Sequence, residues 1–149
     1  MRLLVVEDDE PLRRFLRIVL ARHHEVVCVG DGREALRQLA LNAPDVLLSD
    51  LDLPDLSGEE LARSAAGSKP PPAILLCSGD HARLDRARPL ADATLSKPFS
   101  IAELARVLES LAVEGTRETA PPPKQGESRA MAPPVARARP RAVPRPSRA

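Results

Sequence analysis

The chain has 149 residues and only two aromatic side chains, Phe15 and Phe99, and its formal net charge of +1 hides two opposite halves. Residues 1–114 carry 14 Lys/Arg against 19 Asp/Glu, whereas residues 115–149 carry 8 against 2. So few aromatics, with a negative body, argue against a nucleic-acid binder and leave the basic tail only weak, salt-sensitive contact with anionic partners.

Leu3-Leu4-Val5-Val6 is a short unbroken apolar run of the kind found in strands covered on both faces. It ends at Glu7-Asp8-Asp9-Glu10. Pro11 then suits a first helical position, and Leu12, Phe15, Leu16, Val19 and Leu20 recur at helical spacing. Asp9 and Glu10 read as acids favoured by the helix dipole rather than as metal ligands. The same alternation recurs from Val26-Val27-Cys28-Val29 through the turn Gly30-Asp31-Gly32 to a helix carrying Ala35, Leu36, Leu39 and Ala40, closed by Pro44.

The third strand, Val46-Leu47-Leu48-Ser49-Asp50, delivers a buried-looking run to Asp50, Asp52 and Asp55 before a helix from about Gly58 with Leu61, Ala62 and Ala65. Asp55 reads as turn chemistry. Ala73-Ile74-Leu75-Leu76-Cys77 makes a fourth strand, followed by Ser78-Gly79-Asp80 and a short helix over 82–87 that Pro89 interrupts or ends. Ala93-Thr94-Leu95-Ser96 is the fifth, ended by Lys97-Pro98. In the last helix Ser100 and Glu103 form a capping box, Phe99 and Leu104 a hydrophobic staple, and Ile101, Leu104, Ala105, Val107, Leu108 and Leu111 one face.

Five β-α units in strict alternation make an α/β domain over residues 1–114, a parallel sheet covered by helices on both faces. After residue 115 the periodicity vanishes and eight prolines fall among 35 residues, so 115–149 is expected to be a disordered Pro/Ala/Arg-rich basic tail. No stretch is long and apolar enough to span a bilayer, and Met1-Arg2 runs into a strand rather than a signal-peptide core, so a soluble cytoplasmic protein is expected. Cys28 and Cys77 lie inside apolar runs and read as inert core thiols, in line with a reducing compartment. His23, His24 and His81 read as structural rather than ligating.

Parallel sheets place their sites at the carboxyl ends of the strands, beside the switch in strand order. Those ends carry Glu7 and Asp8 after the first strand, Asp50 at the third, Ser78 at the fourth and Lys97 at the fifth. Carboxylates brought together repel one another and suit a hard divalent cation with oxygen ligands, of which Mg²⁺ fits best because it takes few carboxylates and leaves room for a phosphoryl oxygen. A carboxylate beside that cation, facing an ammonium and a hydroxyl, has what phosphoryl transfer to an acid needs.

With these five positions in order, the sequence resembles the receiver domain of bacterial two-component response regulators over about residues 2–113. The resemblance implies a flavodoxin-like (βα)5 fold with strand order 2-1-3-4-5. It implies Asp50 as the phosphoacceptor, and Glu7, Asp8, Asp50 and the backbone carbonyl of Asp52 as Mg²⁺ ligands. Lys97 would bind the phosphoryl group and Ser78 would follow it, with the small Gly79 leaving access. Pro54 and Gly58 match the loop after the acceptor, and the Lys97-Pro98 bond is expected to be cis.

The implied function is a stand-alone phosphoaccepting regulator, charged by a sensor histidine kinase or histidine phosphotransfer protein and signalling through protein contacts. It would catalyse only its own phosphorylation and dephosphorylation, with no membrane association and no specific DNA binding. Two departures bear on output: Thr94 stands where receivers often carry Tyr or Phe, and only 19 residues separate Ser78 from Lys97, which shortens the fourth helix. Two alternatives stay open. One is a degenerate receiver serving as a scaffold; the other is an aspartate-nucleophile phosphatase of the haloacid-dehalogenase type, suggested by Asp50-Leu51-Asp52.

Overall fold

The computed structural model describes residues 1–118. Strands β1 (Arg2–Val6), β2 (Glu25–Val29), β3 (Val46–Asp50), β4 (Ala73–Ser78) and β5 (Ala93–Ser96) alternate with helices α1 (Glu10–Leu20), α2 (Gly32–Asn42), α3 (Gly58–Ala66), α4 (His81–Ala87) and α5 (Ile101–Glu118). All pairings are parallel, in the order β2-β1-β3-β4-β5. This is the doubly wound, flavodoxin-like arrangement expected from the sequence. The strand order reverses between β1 and β3, which is where such sheets open a crevice.

Alternating side chains of each strand feed two cores. Leu4, Val6, Leu47 and Leu76 pack under α2, α3 and α4 with Leu39, Leu61 and Leu84. Leu3, Val5, Leu48 and Leu75 pack under α1 and α5 with Leu16, Leu20, Leu104 and Leu108. Each such Leu removed from water contributes about 1.5–3 kcal/mol before chain entropy is counted. Cys77 lies in the second core, and burial pushes its thiol up to about 12, so it behaves as an inert hydrophobe.

Some sequence expectations change. In α1 the face turned inward is Leu12, Leu16 and Leu20, at spacings of four; Phe15 is 49% exposed and shares the outer flank with Ile18. Ala40 and Ala105 likewise face solvent, because the buried stripes of α2 and α5 are narrower than the apolar residues on them. The segment holding Pro89 forms one turn of 3-10 helix, Arg88–Leu90, and ends the short α4. The last helix continues to Glu118, past the boundary at 114, and the remainder of the basic tail lies outside the described residues. No described helix is long and apolar enough to cross a membrane.

Candidate functional site

The parallel ladder carries acids into the crevice. Glu7 follows β1 and still donates its backbone N–H to Val29 O at 3.1 Å, which draws its side chain down to 3% exposure. Asp50 closes β3 opposite Cys77 and is 8% exposed. Asp8 stands beside them in the open. One carboxylate oxygen from each of Glu7, Asp8 and Asp50 can be chosen so that all lie within 4.8 Å of one another.

Lys97 reaches this group from the end of β5. Its backbone N–H donates to Ser78 O at 2.9 Å, and the Lys97–Pro98 bond is cis, as expected. The ammonium donates to Glu7 Oε2 at 2.6 Å and to Asp50 Oδ2 at 2.9 Å. Asp50 Oδ1 accepts the N–H of Asp52 at 3.1 Å. Ser78 is fully buried, one residue beyond the register partner of Asp50, and its Oγ accepts the N–H of Asp80 at 3.0 Å.

Burial is the largest influence on Glu7 and raises its pKa above the usual carboxylate range; Lys97 pulls it down and the Asp50 charge adds to the rise. Burial pushes the Lys97 ammonium down, but the hydrogen bonds to Glu7 and Asp50 outweigh it and the pKa is raised. Three carboxylates meet one ammonium here, so the cluster holds more negative charge than that ammonium neutralises. An all-oxygen donor set with excess negative charge fits a hard divalent cation, so the residues present suit Mg²⁺.

Gly58, the first residue of α3, makes the crevice possible. A Cβ there would sit 2.4 Å from the carbonyl oxygen of Asp50 and 2.7 Å from the Cα of Leu51, so no side chain fits between α3 and the acceptor strand. Its N–H donates to Leu51 O at 3.0 Å. A Cβ at Gly79 would meet nothing within 4 Å, whereas Ser78 itself is fully buried.

Other residues named from the sequence go elsewhere. Asp9 caps α1 by accepting the N–H of Leu12 at 3.0 Å, and Glu10 lies in its exposed first turn. Asp52 turns its carboxylate out, 69% exposed, onto Arg83. Asp55 is more than local turn chemistry: it crosses from the β3–α3 loop to accept the N–H groups of Gly32 and Arg33, both at 2.8 Å, at the start of α2. Desolvation is the largest single influence and raises its pKa, but the N–H groups of Gly32, Arg33 and Leu56 together outweigh it and hold the carboxyl below its ordinary value. His81 Nδ1 lies 3.3 Å from Ser96 Oγ, and no histidine joins a ligand cluster among the described residues.

Two arginines escape sequence reasoning. Arg13 of α1 donates to Glu7 O at 2.9 Å and so fixes the turn that carries Glu7 and Asp8. Arg83 of α4 joins Glu59, Leu51 and Asp52. Neither has a local sequence signal, since the partners belong to other elements. The capping box at Ser57 and Glu60 also went unread, although its Ser-x-x-Glu spacing is a local signal that could have found it; it orders the start of α3.

The comparisons with known proteins point to one family. The family model for the response regulator receiver domain matches residues 3–109. The response regulator MprA of Mycolicibacterium vanbaalenii is 35% identical over 135 residues, 88% of this chain and 57% of that protein. The transcriptional regulatory protein KdpE of Mycobacterium tuberculosis is 39% identical over 113 residues, 72% of this chain and 50% of its own length. The chain thus spans little more than half the length of these relatives. Among solved structures, the response regulator TrrA of Thermotoga maritima in complex with Mg²⁺-BeF superposes with a TM-score of 0.67 at 29% identity, covering 74% of this chain and 97% of that one. Five alternating units, a reversal in strand order beside three clustered carboxylates and a family match across nearly all the folded residues lead to one assignment: the chain belongs to the receiver domains of two-component response regulators.

Proposed function

We propose that this chain accepts a phosphoryl group on Asp50 from a phosphohistidine of a sensor histidine kinase or phosphotransfer protein, in the cytoplasm, with Mg²⁺ as cofactor. The observation that carries the reading is the Lys97 ammonium shared between Glu7 and Asp50 inside a cluster of three carboxylates. A similar structure solved in complex with Mg²⁺-BeF adds support, since that protein holds this cation in a similar fold.

Glu7, Asp8, Asp50 and the Asp52 carbonyl would hold the cation. When bound, it supplies positive charge against the phosphoryl oxygens. Asp50 forms the new O–P bond as the N–P bond of the donor breaks, and the leaving imidazole keeps the electron pair and takes up a proton. Lys97 stays near and neutralises a phosphoryl oxygen. Ser78 supplies its hydroxyl from β4, and Gly79 beside it leaves the approach open. Hydrolysis of the acyl phosphate returns Asp50 to its carboxylate, so the chain turns over only its own phosphoryl group.

The phosphatase alternative needs the second acid of Asp50-Leu51-Asp52 as a proton donor near the acceptor, whereas the Asp52 carboxylate is paired with Arg83. The scaffold alternative has less support, because Lys97 touches both Glu7 and Asp50 and a carboxylate oxygen of Asp8 lies within 4.8 Å of theirs. Intact mass after incubation with acetyl phosphate tests the proposal. Wild type should gain one phosphoryl group only with Mg²⁺, and Asp50→Asn should gain none. Absence of any gain in folded, metal-loaded wild type would favour the scaffold.

A further inference from the structure

Arg83 lies on α4, outside the acceptor site, yet its guanidinium converges on the turn that follows the acceptor. Nε and Nη2 form a two-pronged bond to Glu59 of α3, at 3.0 Å to each carboxylate oxygen. Nη2 also donates to Leu51 O at 3.0 Å, and Nη1 pairs with the Asp52 carboxylate. Leu51 O already accepts the N–H of Gly58 at 3.0 Å. Both lone pairs of that carbonyl are therefore engaged, and the peptide plane between Leu51 and Asp52 is held.

The same turn touches the acceptor. The N–H of Asp52 donates to Asp50 Oδ1 at 3.1 Å, while Lys97 holds Oδ2. A continuous line of contacts thus runs from α4 through Arg83 and Asp52 to Asp50. The planar guanidinium fork is suited to this, since one group bonds a carboxylate bidentately and still reaches a carbonyl and a second carboxylate.

We propose that Arg83 is a positioning residue of the acceptor site, which fixes the Leu51–Asp52 turn against α3 and α4 and so ties cation binding at Asp50 to the state of α4. The proposal rests on the phosphoacceptor reading for the cation, and it goes beyond that reading in naming a residue outside the Glu7, Asp8 and Asp50 cluster as part of the site's geometry.

Titration calorimetry of the full chain with MgCl₂, alongside amide hydrogen exchange of α4 with and without MgCl₂, tests it. Arg83→Lys keeps the charge and loses the fork; Arg83→Ala loses both. Charge alone predicts unchanged affinity in the Lys variant and tighter binding in the Ala variant, because a cation near the site is removed. Positioning predicts weaker Mg²⁺ binding in both, on the order of tenfold. It also predicts that Mg²⁺ alters α4 exchange in wild type and no longer does so in either variant. Retained affinity or a retained α4 response overturns the proposal, including when the melting temperature falls, which is all that a purely structural clamp would produce. If an Arg83 variant fails to fold, Glu59→Gln, which loosens the fork with Arg83 in place, carries the same expectation for the α4 exchange response, since its lost charge by itself also weakens Mg²⁺ binding. A wild type that takes up no Mg²⁺ overturns the phosphoacceptor reading and this proposal together; a wild type that binds beside variants that bind equally well overturns this proposal alone.

Discussion

At the amino ends of the strands, aspartates are matched to donors one at a time. Asp45 accepts the N–H of Arg2 at 2.6 Å and sits 3.7 Å from its guanidinium, and Asp92 accepts the N–H of Ile74 at 2.7 Å. At the carboxyl ends, one carboxylate oxygen each of Glu7, Asp8 and Asp50 falls within 4.8 Å of the others, and among the described residues Lys97 is the one ammonium touching the two buried acids. The first arrangement is complete in itself and closes strand ends. The second is left short of positive charge, which is what a cation and a phosphoryl group supply. A carboxylate at a strand end is thus uninformative alone; the ratio of acids to donors around it separates structure from chemistry.

The largest test of that contrast is Lys97→Met. In metal-free buffer near pH 7 it strands two buried carboxylates and should cost about 3–5 kcal/mol, read as a fall in the melting temperature. The sign of its pH dependence follows from Glu7, whose folded pKa is already raised by burial. A raised carboxyl binds its proton more readily folded than unfolded, so the loss should shrink as pH falls through that raised value. Asp92→Ala at the other end removes one hydrogen bond and should cost only about 1 kcal/mol. It should leave the Mg²⁺-dependent mass gain intact. Equal losses in the two variants would erase the distinction between the ends.

The sequence foretold much of this because its signals are local. Strand runs ending at Glu7, Asp50, Ser78 and Lys97 state where the acids, hydroxyl and ammonium lie, and a parallel sheet gathers such ends without further instruction. The capping box at Ser100 and Glu103 is present as the spacing requires, with both hydrogen bonds made. What stayed hidden depends on elements meeting in space. Arg83 is 24 residues from Glu59 and 31 from Asp52, and Asp55 is 23 from Gly32, so no periodic rule links them. Phe15 fits the apolar spacing of α1 yet faces outward, because the sheet accepts only the stripe through Leu12, Leu16 and Leu20.

Glu59 gives the smallest effect and the sharpest test of the ratio argument, because it lies at the carboxyl end yet is matched. The Arg83 guanidinium, more than its own partial burial, sets its pKa and holds it below the ordinary 4.5. A lowered carboxyl stabilises the fold above the ordinary value, and that stability is lost as pH falls through the folded value. Wild type should therefore lose stability more steeply than Glu59→Gln below about pH 4.5, with a difference near pH 7 of ~0.5–1 kcal/mol, the range of a well-formed ion pair near the surface. Melting curves collected from pH 6 to pH 3 would show the two proteins converging. Parallel curves would mean that Glu59 draws nothing from Arg83 in solution. The acids of the carboxyl end would then differ from those of the amino end by location rather than by how fully they are paired.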